Sequence, residues 1–306
     1  MIVTMMIGCS YSGKSTFAKE YVKEVATTEI ISSDAIRKEL YGDAGCQKDH
    51  QKVFQLCRKR MHKALAEGKN VILDATFMTR KSRRSFLDEL RKYGSEVEVE
   101  AVVCAVPLEV LKERMERRER KVPWEVVMRQ LKSFEFPLYG EGFDKICIEG
   151  TKGYETFMVK EIQRALYIPH DTKWHKESIG DHMLQSYYYA VSDLLSTEVC
   201  AAARFHDIGK IYTKEFKDRK GQATKDAHFY GHSGVGAYLY AAAKWQQGEF
   251  AIRVAQLISY HMIWAYMDEK GLKKMRELIG EDLWKELEQL HDCDEHGRNS
   301  DLEAIY

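Results

Sequence analysis

Nine consecutive residues near the start of the chain, Gly8-Cys9-Ser10-Tyr11-Ser12-Gly13-Lys14-Ser15-Thr16, have the make-up of a phosphate cradle. Gly8 and Gly13 let the backbone curl until its N–H groups point at phosphate oxygens. Lys14 can reach the β- and γ-phosphates, and the Ser15 hydroxyl can sit on Mg²⁺. The spacing is that of a P-loop, G-x-x-x-x-G-K-S, placed directly after the apolar run at 2–7. Gly8, Ser12, Gly13, Lys14, Ser15 and Thr16 are the candidate nucleotide-binding positions, with ATP and Mg²⁺ as the expected ligands.

A P-loop does not name the acceptor of a phosphoryl group, but later residues bear on it. Ile30-Ile31-Ser32-Ser33-Asp34-Ala35-Ile36-Arg37 puts an acid at the end of a strand pattern. In a parallel sheet that end faces the ligand crevice. A carboxylate there can take a proton from an attacking hydroxyl, and Arg37 shares its helical face. Equally, Ser33 or Asp34 could simply cap a helix over 34–41. Asp74 ends another apolar run, where it could meet Mg²⁺ through water, hold the acceptor, or be only a turn residue. Arg80, Lys81, Arg83 and Arg84 follow, either as a solvated face or as a basic groove leading to Asp34. Arg114, Arg117, Arg118 and Arg120 alternate with glutamates. They suit a lid over transferring phosphate as well as a salt-bridged helix.

The second half carries different chemistry. Ala201-Ala202-Ala203-Arg204-Phe205-His206-Asp207-Ile208-Gly209-Lys210 reads as an apolar helix ending in His-Asp, with Gly209 as a stop. A buried His-Asp pair needs a reason, and a metal supplies one. His182, His232, His261 and Asp294 repeat the theme of a polar ligand within an apolar helical pattern. Imidazoles with carboxylates suit Mn²⁺, Fe²⁺, Co²⁺, Ni²⁺ or Mg²⁺, and the absence of nearby thiolates disfavours a closed structural zinc site. His50, His62, His170, His175, His228, His291 and His296 are expected at the surface or the substrate edge. His175 and His228 are the first two of these to examine.

The elements that must position these groups follow from periodicity. Strand patterns fall at 2–7, 29–32, 70–75, 97–105 and 145–149, and helical patterns at 14–25, 34–41, 47–67, 79–92, 107–118 and 123–133. That alternation predicts a parallel α/β sheet flanked by helices. Beyond Gly150 strand signals stop. Helices are expected at 154–166, 176–195, 198–208, 231–246, 249–263, 272–279 and 282–296, with a polar connection over 213–230. The expected organisation is an α/β domain at 1–152, a connecting helix and linker at 153–175, and an all-α domain at 176–306.

Together, the P-loop, the Ser33-Asp34-x-x-Arg37 motif, Asp74-Ala75-Thr76 and an arginine run ending in Val122-Pro123 resemble the kinase domain of phage-type polynucleotide kinases. These are relatives of the adenylate-kinase-like and zeta-toxin group. The resemblance implies that Lys14 and Ser15 hold the donor phosphates and Mg²⁺. It makes Asp34 the general base for a 5′-hydroxyl and gives Arg37 the adjacent phosphate. Asp74 would support the acceptor or the base, and Arg118 would stabilise the transferring phosphoryl group. Residues 175–306 resemble the HD-domain metal phosphohydrolases, with His182, then His206-Asp207, then His232 and His261, then Asp294 in order. That resemblance implies a first metal on His182, His206, Asp207 and Asp294. It implies a second metal on His232 and His261, bridged by Asp207. Lys210, and Arg298 likewise, would neutralise a phosphate oxygen.

Composition bounds these readings. The 306 residues carry 47 basic and 47 acidic side chains. Residues 1–150 hold 27 basic and 23 acidic, and residues 151–306 hold 20 and 24. That mild asymmetry permits a nucleic-acid substrate without demanding one. Seven scattered cysteines without a C-x-x-C pair argue against a disulfide framework and for a reducing cytoplasm. No apolar stretch approaches a membrane span. The leading expectation is therefore an enzyme healing nucleic-acid ends. It would phosphorylate a 5′-hydroxyl with ATP and remove a 3′-phosphate or open a 2′,3′-cyclic phosphate on RNA or DNA ends. An RNA ligase would be its natural partner, and membranes play no part. The alternatives are a small-nucleotide or nucleoside kinase fused to a nucleotide phosphohydrolase, and an HD nucleotide sensor gating the kinase. A basic groove from Arg37, Arg80, Arg83 and Arg84 to Asp34 would favour a polynucleotide acceptor.

Overall fold

The computed structural model describes residues 1–298 apart from 26 and 155. The first half builds a five-stranded parallel sheet in the order β2-β3-β1-β4-β5. The strands are β1 (Ile2–Ile7), β2 (Thr28–Ser32), β3 (Asn70–Asp74), β4 (Glu98–Cys104) and β5 (Lys145–Glu149). Most of their valines and isoleucines are buried, on both faces, because helices cover both sides of the sheet. Those helices are α1 (Lys14–Glu24), α2 (Ser33–Tyr41), α3 (His50–Ala66), α4 (Arg80–Leu90), α5 (Leu108–Arg117) and α6 (Trp124–Lys132). Register puts the chemistry at one edge: Met6 and Ser32 both pair with Asp74, so three strand ends lie level. After β3 the chain crosses to the other side of β1. The P-loop thus sits at the switch point, where such sheets bind ligands.

The second half is helical: α7 (Phe157–Ala165), α8 (Ile179–Ser192), α9 (Thr197–Phe205), α10 (Lys210–Thr213), α11 (His232–Lys244), α12 (Glu249–Tyr260), α13 (Ile263–Tyr266), α14 (Glu269–Ile279) and α15 (Glu281–His296). The expected helical second half is found, and one segment within it differs from expectation. Within the segment read as a polar connection, β6 (Glu215–Lys217) and β7 (Ala223–His228) form an antiparallel hairpin. Gly209 also differs from its expected role. Its φ is −68°, an ordinary right-handed value, so it is not a left-handed helix stop. Its function is close approach, because a Cβ there would lie 2.0 Å from the carbonyl oxygen of His232.

One apolar cluster runs through both halves. The segment 134–139, after α6, is its clasp. Tyr260 Oη donates to Phe136 O at 2.7 Å and Gln256 Nε2 to Pro137 O at 3.0 Å. Phe136 N donates to Ser259 Oγ at 3.0 Å. Tyr238, fully buried on α11, receives the Val106 N–H at 3.2 Å and the Cys9 thiol at 3.4 Å, so the second half touches the P-loop itself. Gly231 has φ 74° and abuts α6, where a Cβ would come within 2.4 Å of Lys132 O.

Candidate functional site

The first site is a cleft of about 840 Å³ along the sheet edge. Lys14 is buried, and its ammonium donates to Gly8 O at 2.8 Å and Cys9 O at 2.7 Å. Those carbonyls hold the charge inside the loop where a β/γ-phosphate would lie. Ser15 Oγ donates to Asp74 Oδ2 at 2.8 Å, joining the two groups expected near Mg²⁺. Tyr11 holds the loop from above. It takes a left-handed φ of 70°, a costly conformation for a residue with a side chain. Its hydroxyl bonds both the N–H and the carbonyl of Val122, tying the P-loop to the end of the arginine run.

Asp34 lines this cleft with an exposed side chain. Neither Ser33 nor Asp34 caps α2, because Ser32 is the N-cap and accepts the Ala35 N–H. Asp34 instead faces two guanidinium groups, Arg37 at 2.9 Å and Arg120 at 3.5 Å. Arg37 is buried and also donates to Ser33 Oγ at 3.2 Å. From the run at 114–120, Arg114 donates to Tyr11 O at 3.1 Å. Arg118 lies just past the end of α5 with its guanidinium 5.6 Å from the Tyr11 ring. Arg114, Arg117, Arg118 and Arg120 all line the cleft.

The basic groove from residues 80–84 is not formed. Arg83 is completely buried and forks onto Glu141 at 2.7 and 2.8 Å. Arg80 pairs with Glu135 at 3.1 Å and reaches Met275 Sδ, away from Asp34. Arg84 pairs with Asp88 at 3.4 Å. Arg83 is thus a packing residue, held inside by the buried Glu141 carboxylate.

The second site is a knot of side chains from five places in the sequence. His182 comes from α8, His206 and Asp207 from the turn after α9, His232 from the start of α11, His261 from just past α12, and Asp294 from α15. All six are buried. Ligand atoms of His182, His206, Asp207 and Asp294 lie within 4.8 Å of one another, as do those of Asp207, His232 and His261. Asp294 Oδ1 is 2.9 Å from His182 Nε2 and 3.5 Å from His206 Nε2. Asp207 Oδ1 is 3.2 Å from His232 Nε2.

Second-layer contacts set the tautomers. Nδ1 of His206 faces Ala203 O at 2.9 Å, Nδ1 of His232 faces Phe229 O at 2.8 Å, and Nδ1 of His261 faces Ile258 O at 2.8 Å. A carbonyl only accepts, so each Nδ1 carries a hydrogen and Nε2 is the atom each ring turns inward. Three Nε2 atoms therefore converge with the Asp207 and Asp294 carboxylates. Asp207 Oδ2 has no partner of hydrogen-bonding geometry, although Lys210 Nζ stands 2.5 Å away.

The electrostatics agree. Burial alone would lower His206, but Asp207 and Asp294 outweigh it and push the ring to about 10. Burial alone would raise Asp207, yet Lys210 and His206 hold it well below the usual carboxylate range. Burial, with His232 and His206 close by, presses His261 down to about 3. A centre that draws a proton this strongly onto one ring is short of a cation. The donor set of nitrogen and carboxylate oxygen fits a divalent metal.

Three residues close to this centre were expected at the surface or not singled out at all. His170 is fully buried and stacks on His175 with ring centroids 4.0 Å apart. It stands edge-on to His182 at 5.6 Å, and its Nε2 is 3.3 Å from Lys210 Nζ. Glu177 bonds His175 Nδ1 at 2.6 Å. Only the tertiary fold brings this loop against the knot; its Ile-Pro-His-Asp sequence reads as a helix break. Asp292 lies outside the ligand groups, and Asp301 lies outside the described residues.

Comparison with known proteins matches each half to a family. Residues 3–137 match the AAA domain family, and residues 179–300 match the HD domain family. The chain is thus a P-loop, kinase-like domain followed by a helical HD domain of the phosphohydrolase type. It is similar to the Arabidopsis thaliana protein described as transcription factor bHLH140, with 31% identity over 153 residues. That match covers 47% of this chain and 15% of the relative, so the chain spans a small part of that protein's length. Among solved structures, a Pnkp1/Rnl/Hen1 RNA repair complex aligns with TM-score 0.40 and 18% identity over 43% of each chain. A gluconokinase from Sinorhizobium meliloti 1021 aligns with TM-score 0.34 and 23% identity, over 48% of this chain and 81% of that one. Among the described residues no helix is long and apolar enough to cross a membrane.

Proposed function

We propose that this chain heals nucleic-acid ends. Its first half would move the γ-phosphate of ATP onto a 5′-hydroxyl, and its second would remove a 3′-phosphate or open a 2′,3′-cyclic phosphate, with RNA ends as the favoured substrate. The observation that carries the reading is the pairing on one molecule of a P-loop cleft lined by the exposed Asp34 carboxylate with a buried, cation-deficient knot of histidines and aspartates. Ligation needs a 5′-phosphate and a 3′-hydroxyl, so both activities have one purpose.

In the first cleft, Lys14 and the loop amides would hold the donor phosphates while Ser15 and Asp74 position Mg²⁺. Asp34 would accept the proton of the attacking hydroxyl, with Arg37 placing the acceptor and Arg118 countering charge on the transferring group. In the second site, His182, His206, Asp207 and Asp294 would hold one divalent metal (Mn²⁺, Ni²⁺, Co²⁺ or Fe²⁺). His232, His261 and Asp207 would hold another. Such ions supply Lewis acidity and a more acidic water. Lys210 would offset charge on a phosphate oxygen, and the Nδ1 contacts keep each imidazole aimed.

A second reading, a kinase for a small nucleotide or nucleoside, draws support from one observation: residues 80–84 form no basic groove toward Asp34. The test is direct. The protein is incubated with ATP, Mg²⁺ or Mn²⁺, and end-labelled RNA and DNA bearing 5′-hydroxyl and 3′-phosphate or cyclic ends. Nucleosides and nucleotides run alongside. Phosphorylated oligonucleotides support the first reading, and phosphate transfer to free nucleosides alone supports the second. Lys14→Ala should abolish transfer while terminal phosphate removal survives.

A further inference from the structure

A second cleft, of about 900 Å³, opens where the two halves meet. Part of its lining flanks the metal centre: Gly231 and Ser233 on either side of His232, Tyr260 and Met262 on either side of His261. One wall is α6 of the first half, which presents Arg129 and Lys132. The other is the β6–β7 hairpin of the second half, which presents Lys217 and Arg219. Helix α6 turns Val126 and Gln130 toward the nucleotide cleft instead, and Gln130 Oε1 accepts the Ser10 N–H of the P-loop at 2.8 Å. A single helix therefore divides the two clefts.

The acids of this cleft are already engaged. Glu135 pairs with Arg80 at 3.1 Å, and Glu215 stands 3.7 Å from Lys132. Asp218 Oδ1 accepts the backbone N–H groups of Lys220 and Gln222, each at 2.8 Å. Among the described residues no carboxylate comes within 4.0 Å of the charged nitrogens of Arg129, Lys217 or Arg219. Beside these cations lies an aromatic shelf. The Arg219 guanidinium sits 5.2 Å from the Tyr230 ring and 5.8 Å from that of Tyr266, and Tyr230 stacks on His228 with an interplanar angle of 7°. Tyr230 is half-buried between these neighbours, and Tyr266 is exposed at the rim. Cations without a carboxylate partner along a groove edged by an exposed aromatic ring suit a phosphodiester chain with an unpaired base to stack.

The geometry points to this junction as a channel for single-stranded nucleic acid, leading to the His232–His261 side of the metal centre, with the kinase half supplying part of the phosphohydrolase's substrate grip. The inference rests on the reading that the second half acts on polynucleotide ends. It adds that the HD domain does not hold that strand alone.

The test measures binding of a fluorescein-labelled single-stranded RNA to the full chain over a range of salt. The double variant Arg129→Glu/Arg219→Glu is compared with Lys59→Glu/Lys285→Glu, an equal charge change at exposed positions outside both clefts. We expect the first pair to weaken binding about tenfold or more. Its salt dependence should be shallower by roughly 0.7 in log–log slope for each phosphate no longer neutralised. The second pair should bind as the native chain does. Equal weakening by both pairs, or none by either, overturns the inference. A native protein that trims terminal phosphates with an unchanged KM in the Arg129/Arg219 variant also overturns it, but leaves the phosphohydrolase reading standing. RNA binding abolished in that variant, with no phosphate removal by the native chain, sustains the channel and sinks that reading.

Discussion

Asp34 contributes nothing to the cap of the helix on which it sits, since Ser32 accepts the N-terminal amide. That makes it a clean probe. Asp34→Asn should lower phosphoryl transfer by roughly 10²–10⁴ if the carboxylate is the base, with an unchanged melting temperature. An active variant would remove it from the chemistry. His206 gives a pH test. Without metal its ring stays protonated below about pH 10, because Asp207 and Asp294 outweigh its burial. A metal binding through Nε2 must expel that proton, so affinity should climb with pH up to that value. Calorimetric titration of Mn²⁺ at pH 7.5, in buffers of different ionisation enthalpy, should report about one proton released. Heats independent of the buffer would place the metal elsewhere. At this scale the sequence was most legible where residues fall in an ordered motif, as from His182 to Asp294. It misplaced His170 at the surface and was silent on Tyr238, because their partners lie far away along the chain and nothing local marks them.

Among the elements, strands and long helices were legible nearly to their ends. Their apolar periods of two and 3.6 are imposed by a core on one side or both. The hairpin was not. Ala223-Thr224-Lys225-Asp226-Ala227-His228 buries only Ala227, so it shows none of the apolar alternation by which a half-buried strand is recognised. Arg83 is the converse case, a charged residue inside a run that reads as solvated. Its guanidinium also donates to Phe77 O and Glu135 O, both at 3.0 Å, which fastens α4 to the segment after α6. Arg83→Ala strands the Glu141 carboxylate in the interior and should cost about 3–5 kcal/mol. Urea unfolding measures this, and a loss below about 1 kcal/mol would mean that Glu141 finds water.

At the scale of the whole molecule, one apolar cluster spans both halves, so they should unfold as one unit. Tyr238→Phe keeps the ring but removes the acceptor for the buried Val106 N–H, a loss of about 1–3 kcal/mol. Calorimetry should show a single transition moving to lower temperature. Two separate transitions, with only the second displaced, would mean that the contact does not couple the halves. Domain order was legible from the change of periodicity after Gly150. The clasp at 134–139 was not, because the segment bonds through its backbone, the Phe136 N–H and the Phe136 and Pro137 carbonyls, whatever side chains it carries. That clasp has a practical corollary. It is built from surfaces that meet without needing the chain to run between them, and the turn at Lys152 and Gly153 is exposed. Cut there and produced as two polypeptides, the pieces would re-form by mutual recognition. The molecule is thus a ready-made split protein, whose regained activity would report that two fused baits had met.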